Sequence, residues 1–137
     1  MKIICICTGN TCRSPMAAAI LQRLLPGADV SSAGLYAEDG MPASRHALLA
    51  MDEMGLDISA HRARRFCPEM AEGALLVGMT RAHVRALRSL CPAARVELFL
   101  GDEDVPDPFG QGMDAYERTA HVLEEGARAL IHRLNLH

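Results

Sequence analysis

Short apolar runs alternate along this chain with longer segments in which apolar residues recur every three or four positions. The apolar runs lie at residues 3–7, around residue 30, at 75–79 and at 96–100. Runs of this length predict strands, and the periodic segments predict amphipathic helices. Because strands that alternate with helices form parallel sheets, the pattern predicts an α/β fold with four parallel strands.

The first two helical segments are bounded by helix breakers. The first is predicted over residues 15–25, before Pro26 and Gly27, and the second over residues 42–54, before Gly55. A third helix is expected after Thr80, which is a good N-cap residue.

The last two helices have clear inward faces. In the third helix, Val84, Leu87 and Leu90 are expected to face the core. The fourth helix carries the longest apolar stripe, formed by Tyr116, Ala120, Leu123, Ala127, Leu130 and Leu134. Its spacings of three and four predict a core face. Residues 60–65 contain three arginines and are expected to form a short, exposed basic turn.

The composition indicates one domain, residues 1–137. Half of the residues are hydrophobic and the net charge is −3, which suits a single core and disfavours nucleic acid or an anionic membrane as a partner. No apolar run reaches the length of a membrane span, and no signal-peptide pattern is present. Five cysteines without a disulfide-framework spacing favour a reducing compartment. We therefore expect a cytoplasmic monomer.

The candidate chemistry starts in the sequence CTGNTCRSP, residues 7–15, and residues 7–14 are called the Cys7 loop below. A loop of this length between a strand and a helix can turn successive backbone N–H groups toward one tetrahedral anion. Arg13 can hold two phosphate oxygens at once, and Asn10 tolerates a left-handed backbone. Ser14 is expected to be the N-cap and Pro15 the first helical residue. The predicted phosphate-binding residues are Thr8, Gly9, Asn10, Thr11, Cys12, Arg13 and Ser14.

Cys7 is the expected nucleophile, because a thiolate is stabilised by a helix N-terminus and a neighbouring cation. Asp107 is the expected acid. It lies in the Asp107 loop, residues 101–110, between two prolines that restrict its backbone. In a parallel sheet this loop and the Cys7 loop share one rim. Together they predict displacement at phosphorus by Cys7, with Asp107 as general acid and base and Ser14 hydrogen-bonded to the sulfur. No metal is needed.

Other interpretations of the Cys7 loop remain open at this point. Cys7 and Cys12 as zinc ligands are disfavoured, because neither a second cysteine pair nor a histidine at ligand spacing accompanies them. The two thiols can also form a redox pair, in which a second thiol traps an oxidised nucleophile. A loop that binds an anion without turnover is a third reading, although it needs no cysteine.

The Cys7 loop sequence, together with Asp107-Pro108-Phe109-Gly110, resembles the low-molecular-weight protein tyrosine phosphatase family over the whole chain. This resemblance implies a four-stranded parallel sheet with helices on both faces. It also implies hydrolysis of phosphorylated proteins through phosphocysteine, without cofactors. Cys7 corresponds to the nucleophile, Arg13 to the phosphate binder, Asp107 to the general acid and Cys12 to the redox partner. The residues that match the family's loop-supporting network are Asn10, Ser14, Ser32 and His61.

Two features resemble the bacterial protein-arginine phosphatase branch, namely Thr11 and a single Phe109 followed by glycine. A hydroxyl at the rim suits a guanidinium better than a flat apolar ring. We therefore expect phosphoarginine as substrate, with Thr11, Tyr36 and Phe109 as substrate walls. The alternative is a phosphotyrosine phosphatase that uses the walls Tyr36 and Phe109.

An arsenate reductase of the same fold is an alternative of another class. Those enzymes relay a disulfide through two further cysteines that lie close together. The remaining cysteines here are Cys5, Cys67 and Cys91, and their wide spacing argues against the relay.

Overall fold

Four strands and four α-helices alternate along the chain, and the computed structural model describes all residues, 1–137. The strands are β1 (Lys2–Cys7), β2 (Asp29–Gly34), β3 (Ala74–Gly78) and β4 (Arg95–Leu98). The helices are α1 (Arg13–Leu24), α2 (Arg45–Glu53), α3 (Arg81–Leu90) and α4 (Met113–Leu134), and a 3₁₀ turn spans Pro68–Ala71. The predicted α/β class with four strands is confirmed.

The strands form one parallel sheet in the order β2-β1-β3-β4. β1 is central, so that Cys5 pairs with Ser32 on one side and Val77 on the other. Successive residues of β1 point to opposite faces: Ile3 joins one apolar cluster and Ile4 joins a second. Both faces of β1 are therefore buried, which explains why its sequence is continuously apolar instead of alternating.

Helices cover both faces of the sheet, as the sequence resemblance implies. The larger apolar cluster contains core residues of α1, α2 and α4, whereas the smaller one contains Val84 and Leu87 of α3. The chain thus forms three layers. No helix is both long enough and apolar enough to cross a membrane.

The inward face of α3 differs from the prediction at its last position. Val84 and Leu87 are buried, but Leu90 is 52% exposed. Cys91, four residues after Leu87, takes the inward position where the helix ends. The stripe of α4 is buried as predicted, except that Leu134 near its end is half-buried.

Two helix starts also differ from the prediction. α1 begins at Arg13, two residues earlier than expected, and Cys12 stands at its N-cap without a side-chain cap. Ser14 is therefore inside the helix, and its hydroxyl is free for another contact. α2 begins at Arg45 and is capped by Ser44, whose hydroxyl accepts from the backbone N–H of Ala47.

Residues 61–65 form two isolated β-bridges and no turn, so the basic turn that the arginines predict is absent, although Arg62 and Arg65 are exposed. Arg62 pairs with Pro42, and Arg65 pairs with Gly34 at the end of β2. The side chain of Arg64 lies along β2, where it donates to the Ser31 hydroxyl and the Ser32 carbonyl, 2.9 Å each. This segment therefore extends the edge of the sheet beside β2.

The sheet also determines where a ligand can bind. α1 follows β1 onto one face and α3 follows β3 onto the other, so a crevice opens between the carboxyl ends of these neighbouring strands. Crevices at such switch points are the usual ligand sites of open α/β sheets. The Cys7 loop and the first turn of α3 both lie at this point.

Candidate active site

Cys7, the last residue of β1, is almost completely buried at the base of the Cys7 loop. Its sulfur accepts the backbone N–H of Asn10 at 3.3 Å and lies 2.9 Å from the Ser14 hydroxyl. Asn10 Nδ2 donates to Ser14 Oγ at 2.8 Å, so the Ser14 proton is directed to the sulfur. Two donors thus stabilise negative charge on Cys7.

Asn10 holds the loop in a conformation that few side chains adopt. Its φ is 57°, in the left-handed region, and the residue is completely buried. Nδ2 also donates to Ser32 Oγ at 2.9 Å, while Oδ1 accepts the Arg64 backbone N–H at 3.0 Å. His61 Nε2 donates to the Asn10 carbonyl at 2.7 Å. The structure therefore brings together all four predicted loop-supporting residues and adds Arg64, which the sequence analysis did not assign.

Gly34 at the end of β2 supports the loop through the absence of a side chain. A Cβ here would lie 2.6 Å from the Thr8 carbonyl oxygen and 2.9 Å from the Asn10 nitrogen. Because both atoms belong to the backbone, the loop would have to move. This residue was missed, since its role depends on the approach of another segment.

Arg13 connects the two loops. Its buried guanidinium donates from Nη1 to the Val105 carbonyl at 3.1 Å, and Nη2 lies 3.4 Å from Asp107 Oδ2. The Asp107 side chain is 53% exposed and accepts the Phe109 backbone N–H at 3.1 Å. The Asp107 loop, which follows β4, therefore reaches the Cys7 loop across the rim.

The two loops enclose a pocket of about 220 Å³. It is lined by Cys7, Thr8, Gly9, Asn10, Thr11, Cys12, Arg13, Asp107 and Phe109. Phe109 is the one aromatic residue in this lining, and its side chain is 72% exposed. Tyr36 lies outside the lining with 73% exposure, although its backbone N–H donates to the Thr8 carbonyl at 3.0 Å.

Cys12 faces a small buried group of hydroxyls. Its sulfur lies 3.3 Å from Tyr116 Oη and 3.4 Å from Ser44 Oγ. Burial and the contact with Cys12 raise the pKa of Tyr116, which keeps this phenol protonated. Cys7 and Cys12 are free thiols. The sequence analysis assigned Tyr116 to the core, where it is, but did not identify the contact of its hydroxyl.

The sequence analysis also did not identify the contact that His83, at the start of α3, makes with the Cys7 loop. Its Nε2 lies 2.9 Å from Thr8 Oγ1 in the Cys7 loop. Burial and the nearby Arg13 lower the pKa of His83 to about 4. One sequence feature could have indicated this contact. His83 lies three residues after the helix cap Thr80, and that helix begins just after a central strand, β3.

The other thiols differ from Cys7 in their surroundings. Cys5 is buried inside β1, and burial, reinforced by charge on Cys7, raises its pKa well above the usual range. Burial also raises the pKa of Cys91. Cys67 is half-buried at the start of the 3₁₀ turn. No group of three or more His, Cys, Asp or Glu side chains is placed to hold a metal ion.

The pocket therefore combines a buried sulfur that receives hydrogen bonds, a guanidinium at the loop end and a carboxylate at the opening. A thiolate at the base can attack a bound electrophile, while the carboxylate can exchange a proton with a group that departs through the opening. Such an arrangement is suited to displacement on a tetrahedral oxyanion.

Comparison with known proteins agrees with this chemistry. Residues 2–137 match the family model described as low molecular weight phosphotyrosine protein phosphatase. A protein-arginine-phosphatase of Geobacillus stearothermophilus is 38% identical over 90% of this chain and 88% of its own length. A probable low molecular weight protein-tyrosine-phosphatase, EpsP, of Ralstonia nicotianae is 36% identical over 96% of this chain and 94% of its own.

The solved structures include one of the YwlE arginine phosphatase, in a variant with a phosphorylated active-site serine. It superimposes with a TM-score of 0.91 at 34% identity and covers 98% of this chain and 96% of that chain.

Proposed function

The chain belongs to the low molecular weight phosphotyrosine protein phosphatase family, and we propose that it hydrolyses phosphoarginine in proteins through a phosphocysteine intermediate. The observation that carries this proposal is the position of Cys7 at the base of a pocket whose opening holds Asp107. The phosphoarginine preference depends on the polar character of the pocket wall.

In the first step the Cys7 thiolate attacks phosphorus and the bond from phosphorus to the arginine nitrogen breaks. The departing nitrogen takes the electron pair of that bond and receives the Asp107 proton. The loop N–H groups and Arg13 stabilise the charge on the three phosphoryl oxygens. Arg13 already contacts Asp107 at 3.4 Å, so one residue aligns the phosphoryl group and the acid.

In the second step water attacks the phosphocysteine. Asp107, now a carboxylate, takes the water proton, an oxygen–phosphorus bond forms, and the sulfur–phosphorus bond breaks. The electron pair returns to Cys7, where the hydrogen bond from Ser14 at 2.9 Å stabilises the departing thiolate. The reaction releases inorganic phosphate and restores the starting enzyme.

The pocket wall supports phosphoarginine over phosphotyrosine. A phenyl ring needs apolar contacts on its faces, and the lining offers one aromatic residue, Phe109. Thr8 and Thr11 bring two hydroxyls to the same lining. A guanidinium N–H can donate to the Thr11 hydroxyl oxygen, whereas a phenyl ring offers that oxygen no hydrogen bond. The 38% identity with a protein-arginine-phosphatase points the same way.

The decisive experiment compares kcat/KM for two peptides that differ only in carrying phosphoarginine or phosphotyrosine. We expect the phosphoarginine peptide to be the better substrate. Equal or faster turnover of phosphotyrosine would overturn the proposed preference and leave the phosphatase chemistry intact.

Thr11→Ile tests which residue sets the preference. The substitution retains β-branching and replaces the hydroxyl, so we expect the kcat/KM ratio to shift toward phosphotyrosine by roughly tenfold. Thr119→Val, which removes a buried hydroxyl of α4 outside this pocket, is the matched control. An unchanged ratio in Thr11→Ile would mean that Thr11 does not select the substrate.

A phosphotyrosine phosphatase remains the second candidate, favoured by Phe109 at the opening and by 36% identity with a probable protein-tyrosine-phosphatase. In that case Phe109 packs against the substrate ring. Phe109→Ala would then reduce kcat/KM more for the phosphotyrosine peptide than for the phosphoarginine peptide.

An arsenate reductase is less well supported by the cysteines. Cys91 belongs to the smaller apolar cluster, on the face of the sheet opposite to Cys7 and Cys12. Of the thiols on the Cys7 side, Cys5 is completely buried inside β1 and burial raises its pKa, which leaves Cys12 as the one accessible partner where a relay needs two. Thiol-dependent reduction of arsenate by the purified protein would support this function, and its absence would exclude it.

Cys12 is proposed as the redox partner of Cys7. A peroxide oxidises the Cys7 thiolate to a sulfenic acid, and the Cys12 sulfur then displaces hydroxide, leaving as water, to form a disulfide. Both residues lie in one loop as free thiols, which supports this role. After peroxide treatment, we expect thiols to restore activity in the wild type and to fail in Cys12→Ser.

A further inference from the structure

His83 holds the Cys7 loop on the side opposite to the Asn10 network. Asn10 is held by Ser32 of β2 and by residues 61–64 beside it, whereas His83 follows β3. β1 lies between β2 and β3 in the sheet. The loop is therefore held from two flanks, and His83 supplies the side-chain contact on the β3 flank.

The hydrogen bonds of His83 determine which ring nitrogen carries the proton. The Thr80 backbone N–H donates to Nδ1 at 3.2 Å, so Nδ1 is an acceptor. The proton of the neutral ring is then on Nε2, which donates to Thr8 Oγ1 at 2.9 Å. The His83 backbone N–H donates in return to Thr80 Oγ1, so the ring is fixed by a complete capping box.

The Thr8 hydroxyl is consequently left with a free proton. Oγ1 accepts from His83 and has no other hydrogen-bond partner in the protein. Thr8 directly follows the nucleophile Cys7, is exposed and lines the pocket. Its own proton is therefore available to a molecule bound in that pocket.

The charge state of His83 is compatible with this role. The groups that act on it are Arg13, which disfavours protonation, and Asp104 and Asp107, which favour it. Burial and Arg13 dominate, and they lower the pKa of His83 to about 4. The ring is therefore neutral at the pH of ordinary assays, with one nitrogen as donor and the other as acceptor.

We propose that His83 is a positioning residue for substrate binding, which acts by fixing the Thr8 hydroxyl as a hydrogen-bond donor into the pocket. This inference rests on the proposed phosphatase chemistry and adds a residue 75 positions from Thr8 in the sequence. It does not depend on whether phosphoarginine or phosphotyrosine is preferred.

Two substitutions separate positioning from helix capping. Asn places an oxygen where Nδ1 lies, so His83→Asn keeps the acceptor for Thr80 and loses the donor to Thr8. Gln reaches the position of Nε2, so His83→Gln keeps the donor to Thr8 and weakens the cap. For positioning, we expect His83→Asn to lower kcat/KM by roughly 3- to 10-fold with little change in Tm, and His83→Gln to restore most of it at a lower Tm.

Thr8→Val and the double variant His83→Asn/Thr8→Val complete the test. We expect Thr8→Val to lower kcat/KM about as much as His83→Asn, and the double variant to lose no more than either, because both remove one interaction. Thr80→Ala removes the capping hydroxyl and retains the backbone N–H that donates to Nδ1, so it should lower Tm and change kcat/KM less than His83→Asn does.

Three results would overturn the inference. They are full activity in His83→Asn, losses that multiply in the double variant, and losses of kcat/KM that follow Tm across the set. Failure of the proposed function is distinguishable, since it would appear as an inactive wild type or as activity that survives Cys7→Ser.

Discussion

The two loops that form the pocket are built in opposite ways. In the Cys7 loop, hydrogen bonds join the buried Asn10 to β2 and to residues 61–64, and join Thr8 to α3. In the Asp107 loop only Val105 and Pro108 are buried, and the remaining residues are exposed. Val105 anchors that loop through the Met79 carbonyl, which accepts its N–H at 2.9 Å, and through Arg13.

The difference corresponds to the two parts of a phosphorylated substrate. Every substrate presents the same phosphoryl oxygens, and a fixed loop can stabilise them without reorganising during the reaction. The leaving group varies, and it meets the exposed loop with Asp107 and Phe109. Changes in the Cys7 loop should therefore alter chemistry and stability, whereas changes in the Asp107 loop should alter the response to the leaving group.

The largest effect is expected for Cys7→Ser. A serine hydroxyl is a far weaker nucleophile at neutral pH, so kcat should fall by at least about 10⁴-fold. Arg13 and the loop N–H groups remain, so inorganic phosphate should still raise the Tm of the variant. Activity is checked with p-nitrophenyl phosphate and binding by thermal denaturation. Residual activity above about one per cent would show that the sulfur is not the nucleophile.

Asp107→Asn is expected to have the next largest effect, and the loss should depend on the leaving group. Loss of a general acid should reduce kcat/KM by about 10²-fold for phenyl phosphate. The loss should be several-fold smaller for p-nitrophenyl phosphate, whose leaving group needs less protonation. Because kcat/KM reports the steps through cysteine phosphorylation, hydrolysis of the intermediate does not obscure the comparison.

The same variant contrasts the stabilities of the two loops. The Asp107 side chain is 53% exposed, so its contact with Arg13 should contribute less than about 1 kcal/mol to the free energy of unfolding. Urea denaturation measures this value.

The kinetic comparison can contradict the role of Asp107. Equal losses of kcat/KM for phenyl phosphate and p-nitrophenyl phosphate would argue against proton donation by Asp107.

The sequence predicted the parts of the site that depend on local chemistry. The strand, loop and helix around Cys7 follow from periodicity and from residues that favour tight turns, and Asn10 adopts the expected left-handed conformation. The approach of Asp107 to Arg13 follows from the rule that carboxyl ends of parallel strands share a rim.

The parts that could not be predicted depend on contacts between distant segments. Tyr116 fits a core stripe, but its hydroxyl reaches Cys12, 104 positions away in the sequence. Arg64 lies in a basic segment that resembles a solvated turn, yet it bonds along β2. Ser14 has the properties of an N-cap, but α1 starts one residue before it, which releases its hydroxyl for Cys7. In each case the residue type indicated the local structure, but the sequence did not indicate which distant residue its side chain contacts.

Gly34→Ala tests how tightly the Cys7 loop is packed, because it should lower the free energy of unfolding. The added Cβ would lie 2.6 Å from the Thr8 carbonyl oxygen and 2.9 Å from Ala37 Cβ, closer than such atoms approach in folded proteins. We expect a loss of about 2 kcal/mol in the free energy of unfolding, together with lower kcat. Gly27→Ala is the control, since its Cβ would meet nothing within 4 Å. Urea denaturation that shows equal stabilities for the two variants would contradict a tightly packed Cys7 loop.

A smaller effect than that of Gly34→Ala is expected for His83, which contacts the Cys7 loop and faces Asp104 and Asp107 of the other loop. Its pKa is about 4 in the folded protein, against about 6.5 for an unfolded histidine. Between these values the unfolded chain binds a proton that the folded protein does not bind. The free energy of unfolding therefore falls as pH decreases from about 6.5 toward 4, and the contribution of neutral His83 is complete above that window.

Because solvent reduces the electrostatic effect on this ring, we expect the free energy of unfolding to change by about 1 kcal/mol between pH 7 and pH 5. His83→Asn removes the titrating ring and keeps the acceptor for Thr80, so its pH dependence should be flatter than that of the wild type by this amount. His121→Asn, at an exposed position of α4, should follow the wild type. Urea denaturation at both pH values gives the comparison. Parallel curves for the wild type and His83→Asn would mean that His83 is not kept neutral at the junction of the two loops.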